Sequence, residues 1–125
     1  MVEARIRASI EAYVAAWNER DPAKRAGLIE QSCAAELHMR TPGKLIEGRA
    51  QLDALMADFQ RRCPEARAVL ASSIDVQSNV FRYTGIVEGA TFPDTLDVGE
   101  SDGEGRIRVL ISFVGASLPS SSTSD

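Results

Sequence analysis

The sequence predicts an α+β protein in which helices occupy the first half and most strands the second. Apolar residues recur at spacings of three and four in the first half, which is typical of amphipathic helices. Beyond Pro64 the pattern changes to short runs rich in Val, Ile, Phe, Tyr and Thr, separated by residues that favour tight turns. Helices massed before hairpin-linked strands favour an α+β fold over a doubly wound α/β fold. The chain of 125 residues has the length of one domain.

The first helix is predicted from about Val2 to Asn18. Its apolar side chains recur at helical spacing and therefore share one face, which we expect to be buried. These side chains are Ile6, Ile10, Tyr13, Val14 and Trp17.

The second helix is predicted to begin at the dipeptide Asp21-Pro22. Aspartate is a preferred N-cap residue, and proline is favoured at the first helical position because its missing N–H has no partner there. We expect this helix to run to about Cys33 and to bury Leu28 and Ile29.

The third helix is predicted to begin after Gly48. Basic residues in the last turn and a proline just beyond it are typical of a helix end, and Arg61, Arg62 and Pro64 supply them here. The apolar stripe of this helix consists of Leu52, Leu55, Met56 and Phe59.

A first strand is predicted between the second and third helices, from Glu36 to Thr41, where Pro42-Gly43 ends it. Four further strands follow the third helix and are predicted to form an antiparallel meander. Their approximate bounds are Ala66–Asp75, Asn79–Glu88, Thr95–Ser101 and Arg106–Val114. The Asp102-Gly103 dipeptide before the last of them is a strong hairpin signal.

The last strand carries apolar residues on both faces. One face holds Ile107, Val109, Ile111 and Phe113, and the other holds Leu110, Ser112 and Val114. A sheet with one solvated face would alternate apolar and polar residues. The chain has no spare element to cover the second face, so we predict a homodimer through the outer sheet face.

Composition and charge exclude several classes of partner. Fourteen basic and eighteen acidic side chains give a net charge of -4, which argues against nucleic acid or an anionic membrane surface as a partner. The longest strongly apolar stretch is too short to span a bilayer, and the first residues do not resemble a signal peptide. We therefore expect a cytoplasmic protein, with one domain over residues 1–116 and a disordered Ser-rich tail over residues 117–125.

No cofactor or metal site is predicted. The sequence contains no phosphate loop, dinucleotide fingerprint or nucleophile elbow, and one His with two Cys is an incomplete set for a tetrahedral metal site. Cys33 and Cys63 are interpreted as reduced thiols. Strand alternation places His38 opposite Leu37, Met39 and Thr41, so His38 faces outward if Thr41 faces the interior.

Several short motifs, in order, carry a resemblance to a known family. They are Tyr13-Val-Ala-Ala-Trp-Asn-Glu-Arg-Asp21-Pro22, Glu47-Gly48-Arg49, Val80-Phe81-Arg82-Tyr83, Leu96-Asp97-Val98, and Asp102-Gly103-Glu104-Gly105-Arg106-Ile107 leading to Phe113. In order and spacing the chain is similar to the nuclear-transport-factor-2-like superfamily, and within it to small bacterial SnoaL-like proteins, over about residues 3 to 115.

This resemblance implies a cone-shaped fold, in which a strongly curved, mixed but mainly antiparallel sheet wraps three helices around a deep apolar pocket. It also implies a homodimer through the outer sheet face. The superfamily includes ketosteroid isomerases, polyketide cyclases, dehydratases and epoxide hydrolases, together with binding domains that catalyse nothing. The fold therefore does not settle the function.

The resemblance also implies site residues. In ketosteroid isomerases a Tyr of the first helix and a protonated Asp of a late strand donate hydrogen bonds to a developing enolate, and these roles fall on Tyr13 and Asp97. The family's basic Asp corresponds to Thr41, whose hydroxyl is not a general base near neutral pH without activation. The residues expected to line the ligand pocket are Trp17, Met39, Thr41, Met56, Phe59, Phe81, Tyr83, Leu110, Ser112 and Val114.

Each of the two polar candidates has a structural alternative. Tyr13 is either a donor to a ligand or a core residue bonded to a carbonyl or to Asp97. Asp97 is either a working acid or a structural partner of Arg82 or Tyr83. Two functions follow: a domain that binds a small apolar or carbonyl-bearing molecule, or a cofactor-independent cyclase, isomerase or hydrolase with Asp97 as acid or base and Tyr13 as donor.

Overall fold

Three helices precede most of the strands in the computed structural model, which describes residues 2–115. The helices are α1 (Val2–Asn18), α2 (Pro22–Ser32) and α3 (Gly48–Arg62). The strands are β1 (Cys33–Thr41), β2 (Lys44–Glu47), β3 (Arg67–Leu70), β4 (Asp75–Gln77), β5 (Val80–Glu88), β6 (Thr95–Ser101) and β7 (Ile107–Val114). The tail predicted for residues 117–125 lies outside the described residues.

The strands form one curved sheet in the order β2-β1-β7-β6-β5-β3, with β4 also paired to β5. All pairs are antiparallel except β1 with β7, which is parallel. Within the described part of the chain, β2 and β3 lie at opposite edges, so the sheet stays open. The predicted α+β architecture, with helices in the concave face of a mainly antiparallel sheet, is confirmed.

Local signals place the helix ends where the sequence predicts them. Asp21 Oδ2 accepts a hydrogen bond of 3.0 Å from the Lys24 N–H, as an N-cap residue does. At the start of α3 the Gln51 side chain accepts 2.8 Å from the Glu47 N–H. These contacts satisfy backbone donors that lack a partner in the first turn of a helix.

The core lies between the apolar faces of the helices and the inner face of the sheet. Ile6 and Ile10 of α1 and Leu52 and Met56 of α3 are fully buried. They belong to one apolar cluster with sheet residues that include Leu37, Leu110 and Ile107. Burying each such side chain stabilises the fold by about 1.5–3 kcal/mol.

A buried arginine joins the three helices. Arg25 of α2 donates through Nε to Asp53 Oδ1 of α3 at 2.7 Å, and through Nη1 to Gln60 Oε1 at 3.0 Å. The Gln60 amide in turn donates to the Trp17 carbonyl of α1 at 2.9 Å. Because charge and amide are both satisfied, this network fixes the relative positions of the helices that form one wall of the interior.

The strand predictions need two corrections. The sequence analysis missed β2, which pairs with β1 through a two-residue turn at Pro42-Gly43, where Gly43 takes a positive φ of 76°. A strand of four residues is too short to show its own alternation. The predicted strand Ala66–Asp75 is two strands, β3 and β4, and both pair with β5.

The predicted outer face of the last strand is wrong at one residue. Ile107 is fully buried in the core, whereas Val109 and Ile111 are half-buried and Phe113 is exposed. The β6–β7 register shifts so that Glu100 pairs with Val109 but Ser101 pairs with Ile107. This irregularity reverses the direction of the side chains at the start of β7.

Candidate functional site

A cavity of about 220 Å³ lies between α1, α3 and the inner face of the sheet. Its helical wall consists of Tyr13, Val14, Trp17, Leu55, Phe59 and Arg62. Strands and loops supply Met39, Thr41, Pro42, Lys44, Ala68, Val69, Leu70, Tyr83, Gly85, Ile86, Val87, Phe92, Thr95, Asp97, Ser112 and Val114. Most of these side chains are apolar.

The cavity brings together most of the residues that the sequence analysis selected. Tyr13 and Asp97 both line it, as do Trp17, Met39, Thr41, Phe59, Tyr83, Ser112 and Val114. Three predicted lining residues do not. Met56, Phe81 and Leu110 pack inside the core with at most 4% exposure, because neighbouring side chains cover them.

Asp97 forms the polar centre of the buried end. It is 6% exposed, and its Oδ2 accepts a hydrogen bond of 2.8 Å from the Tyr83 hydroxyl on the neighbouring strand. Its Oδ1 is buried and accepts no hydrogen bond from residues 2–115. Arg82, the other partner considered from the sequence, instead pairs with Asp75 at 2.9 Å. Asp97 lines the cavity, and one of its carboxyl oxygens has no hydrogen-bond partner among the described residues.

The surroundings of Asp97 favour its neutral form. Burial raises the pKa of the carboxyl, and two hydroxyl groups only partly oppose this shift: that of Ser112, which is nearby but outside hydrogen-bond geometry, and that of Tyr83, which donates to Oδ2. A carboxyl removed from water holds its proton more tightly because its charged form loses hydration. When protonated, a carboxyl gains a hydrogen-bond donor.

Tyr13 supplies a second hydroxyl at the buried end. Its Oη approaches Met39 Sδ at 3.8 Å, and a thioether is a weak acceptor. Burial and the nearby Asp97 raise the pKa of Tyr13 well above its usual value, so the hydroxyl keeps its proton. Neither partner expected for a core Tyr, a carbonyl or Asp97, holds this hydroxyl among the described residues. Tyr13 therefore remains available as a donor.

A row of aromatic rings lines the helical side of the cavity. Tyr13, Trp17, Phe59 and Phe92 contact one another edge to face, with centroid distances of 6.3, 5.4 and 5.6 Å in that order. Such contacts hold rings in fixed orientations. Phe92 belongs to the loop between β5 and β6, which the sequence analysis did not connect with the site.

The opposite end of the cavity is the mouth. Among its lining residues Pro42, Lys44 and Arg62 are exposed, and the others are buried or half-buried. Lys44 and Arg62 were not selected from the sequence, because charged residues at a turn and at a helix end are usually solvated. The one signal in the sequence was the position of Arg62, which comes three residues after Phe59 and therefore lies on the same side of α3.

The remaining candidates behave as ordinary structural groups. His38 is exposed and lies 3.6 Å from Glu47 across the β1–β2 pair, so it faces outward as predicted. Burial raises the pKa of the Cys33 thiol to about 11, which keeps it unreactive. Among residues 2–115, no three His, Cys, Asp or Glu side chains gather as metal ligands, and no helix is long and apolar enough to cross a membrane.

Comparison with known proteins shows which solved structures share this fold. No model of a protein family matches the sequence, and no curated protein matches it. Among solved structures, a protein of the SnoaL-like family from Agrobacterium tumefaciens, described as an isomerase, superposes with a TM-score of 0.80 at 27% identity over 90% of this chain and 99% of its own. The chain therefore has the fold of the SnoaL-like proteins of the nuclear-transport-factor-2-like superfamily.

Two more distant structures share the same fold. One, from Kribbella flavida, is described as a ketosteroid isomerase, with a TM-score of 0.68 at 13% identity over 94% of this chain and 82% of that one. The other, from Sinorhizobium meliloti, is described as a polyketide cyclase, with a TM-score of 0.66 at 15% identity over 83% and 92%. At these identities the likeness concerns the fold.

Proposed function

We propose that this SnoaL-like protein binds a small, mainly apolar molecule in its cavity and orients it through one carbonyl or hydroxyl oxygen. The observation that carries this proposal is the free Oδ1 of the buried Asp97. A buried polar atom without a partner costs about 1–3 kcal/mol, and a ligand atom at this point removes that cost. The aromatic and aliphatic walls would exclude water from the rest of the molecule.

The polar groups limit the chemistry that the buried end accepts. A protonated Asp97 and the Tyr13 hydroxyl are both donors, and a carbonyl oxygen has two lone pairs with which to accept from them. Because Tyr83 already donates to Oδ2, Asp97 is held in one orientation. The two donors, Asp97 and Tyr13, thus favour a ligand with a ketone, aldehyde or similar oxygen over a pure hydrocarbon.

Trp17 allows a direct test because it is the only Trp of the chain and lines the cavity. Its single indole N–H resonance in a nitrogen–proton correlation spectrum reports occupancy during titration with acetophenone or with cumene, a hydrocarbon of similar shape. We expect acetophenone to bind more tightly, by about fivefold to tenfold for one added hydrogen bond.

Two variants connect this preference to the proposed donors. Tyr13→Phe is expected to reduce the preference for acetophenone while leaving cumene binding unchanged. Asp75→Asn is the matched control for Asp97→Asn, because the Asp75 carboxylate is exposed, pairs with Arg82 and does not line the cavity. Equal affinity of the wild type for both probes, or no shift of the Trp17 resonance with either, would contradict the proposal.

A second candidate function is a cofactor-independent enzyme of the isomerase or cyclase kind. The raised pKa of Asp97 favours it, since a carboxyl that titrates closer to neutral pH exchanges protons more readily with a carbon acid. In that reaction a proton moves from the carbon beside a carbonyl to Asp97, and Tyr13 donates to the resulting enolate oxygen. Thr41 lines the cavity without supplying a second carboxylate, which is why binding is the first proposal.

Hydrogen exchange separates the two candidates. The experiment follows the methyl proton signal of acetophenone in heavy water. It measures whether wild-type protein makes this signal disappear faster than buffer alone does. An enzyme accelerates it and loses the effect on Asp97→Asn, whereas Asp75→Asn keeps it. A binding domain gives the buffer rate in all three samples while still shifting the Trp17 resonance.

A further inference from the structure

The mouth of the cavity carries positive charge on its rim. Lys44 at the start of β2 and Arg62 at the end of α3 both line the cavity and are exposed. The protein as a whole is acidic, with a net charge of -4. The rim is therefore positively charged in a protein that is negative overall, and it lies where a ligand would enter.

These two cations are incompletely neutralised. Among residues 2–115, the Lys44 ammonium makes no hydrogen bond or ion pair. The Arg62 guanidinium donates only through Nε, at 2.8 Å to Asp58 Oδ2, so its terminal nitrogens are free. Asp58 also pairs with Arg61. One carboxylate thus faces three cations, and together they hold the pKa of Asp58 below its usual value.

The distribution of charge along the cavity gives a direction to a ligand. The ionisable acidic and basic side chains of the lining are Asp97 at the buried end and Lys44 and Arg62 at the mouth. An anionic group at the buried end would lose its hydration without meeting a cation. At the mouth it would keep contact with water and meet an ammonium and a guanidinium, which suit a carboxylate.

We infer that the ligand of this protein is an amphiphilic carboxylic acid, whose apolar body fills the cavity and whose carboxylate lies between Lys44 and Arg62. This inference rests on the proposed binding function and adds the charge and orientation of the ligand. A molecule with a carbonyl at one end and a carboxylate at the other satisfies both ends of the cavity, and p-acetylphenylacetate is a simple probe of this kind.

The experiment compares p-acetylphenylacetate with its neutral amide, p-acetylphenylacetamide, by titration of the Trp17 indole resonance. Two partly exposed ion pairs strengthen binding only modestly, so wild-type protein should prefer the carboxylate by about twofold to thirtyfold in affinity. Added salt should reduce the preference, because exposed charges are screened.

Variants of equal charge change test whether the rim itself causes the preference. The double variant Lys44→Gln, Arg62→Gln should lose the preference, because its affinity for the carboxylate falls toward its affinity for the amide. The double variant Lys24→Gln, Arg67→Gln removes the same charge from exposed positions outside the cavity lining and should keep the wild-type preference. Loss of preference in both would indicate a general charge effect and overturn the inference.

The outcomes also separate this inference from the proposed function. Equal affinity of the wild type for the two probes would overturn the anionic ligand but leave the binding function standing. If neither probe binds, both the anionic ligand and the proposed binding function are overturned. A lower affinity of the rim variant for amide and carboxylate alike would show that Lys44 and Arg62 act on the shape of the mouth, which also overturns the inference.

Discussion

Tyr83 and Asp97 face each other across β5 and β6, and the Tyr83 hydroxyl donates a hydrogen bond of 2.8 Å to Asp97 Oδ2. Both residues are buried on the inner face of the sheet. The pairing orients the carboxyl and leaves its second oxygen without a hydrogen-bond partner among the described residues. A group fixed in this way needs no rearrangement before it contacts a ligand, which reduces the entropic cost of binding.

The Asp97 carboxyl is predicted to titrate above its ordinary pKa of 3.8 because of its burial. The folded protein then binds this proton more tightly than the unfolded chain does. Protonated Asp97 therefore stabilises the fold at acidic pH. This stabilisation is lost as the pH rises from the ordinary pKa of the carboxyl through its raised pKa in the folded protein. Asp97→Asn stays neutral and should unfold at an equal or higher denaturant concentration than wild type at neutral pH.

Carbon-detected carboxylate titration and denaturant unfolding at several pH values measure these two effects. Asp75→Asn, in which the carboxylate is exposed beside Arg82, serves as the control. A lowered Asp97 pKa together with a destabilised Asp97→Asn would identify a structural ion pair and contradict an acid–base or donor role.

The two tyrosines of the site are predicted to differ in their contribution to stability. Tyr83→Phe should lower the free energy of unfolding by about 1–3 kcal/mol, because it leaves Asp97 without its hydroxyl partner. Tyr13→Phe should cost less than about 1 kcal/mol, because its hydroxyl contacts only a weak sulfur acceptor. Urea denaturation of both variants checks the order, and the reverse order would mean that the Tyr13 hydroxyl has a structural role.

A second copy of the chain is proposed to cover the outer sheet face. Val98 of β6 and Ile111 of β7 are direct neighbours there, and Phe113 is 47% exposed. A charge at the centre of such an interface would be desolvated on association. Ile111→Glu should therefore weaken dimerisation, whereas Ser112→Glu, which points into the cavity, should weaken it less.

Sedimentation equilibrium at micromolar concentration measures the association of the wild type and of both variants. Circular dichroism verifies that each variant is folded before it is compared. A monomeric wild type would remove the proposal, and stronger dissociation by Ser112→Glu would mean that the opposite face is the interface.

Two glycines are predicted to respond in opposite directions to alanine. A Cβ on Gly99 would lie 2.2 Å from the Val109 carbonyl oxygen and 2.7 Å from Phe81 Cζ, so Gly99→Ala should destabilise by about 2–3 kcal/mol. Gly27 lies in α2 with nothing within 4 Å. Gly27→Ala should stabilise by about 0.5–1 kcal/mol. Thermal unfolding measures both, and a neutral Gly99→Ala would show that β6 and β7 can separate locally.

The helices could be predicted from the sequence because their signals are local. Contacts within a helix join residues three or four apart, so the stripe from Ile6 to Trp17 and the cap at Asp21 each specify their own element. The same reasoning predicted the long strands β5, β6 and β7 to within about one residue of their bounds. It also selected Tyr13 and Asp97, both of which line the cavity.

Only the tertiary structure decided how distant segments meet. The parallel pairing of β1 with β7, the inward turn of Ile107 and the burial of Arg25 depend on partners far away in the chain. So does the mouth of the cavity, since Lys44 and Arg62 become neighbours of one space only when β2 and α3 pack together. Sequence periodicity indicates which side of a helix or strand is apolar. The shape of a cavity depends instead on which elements pack around it and on where their side chains leave space unfilled.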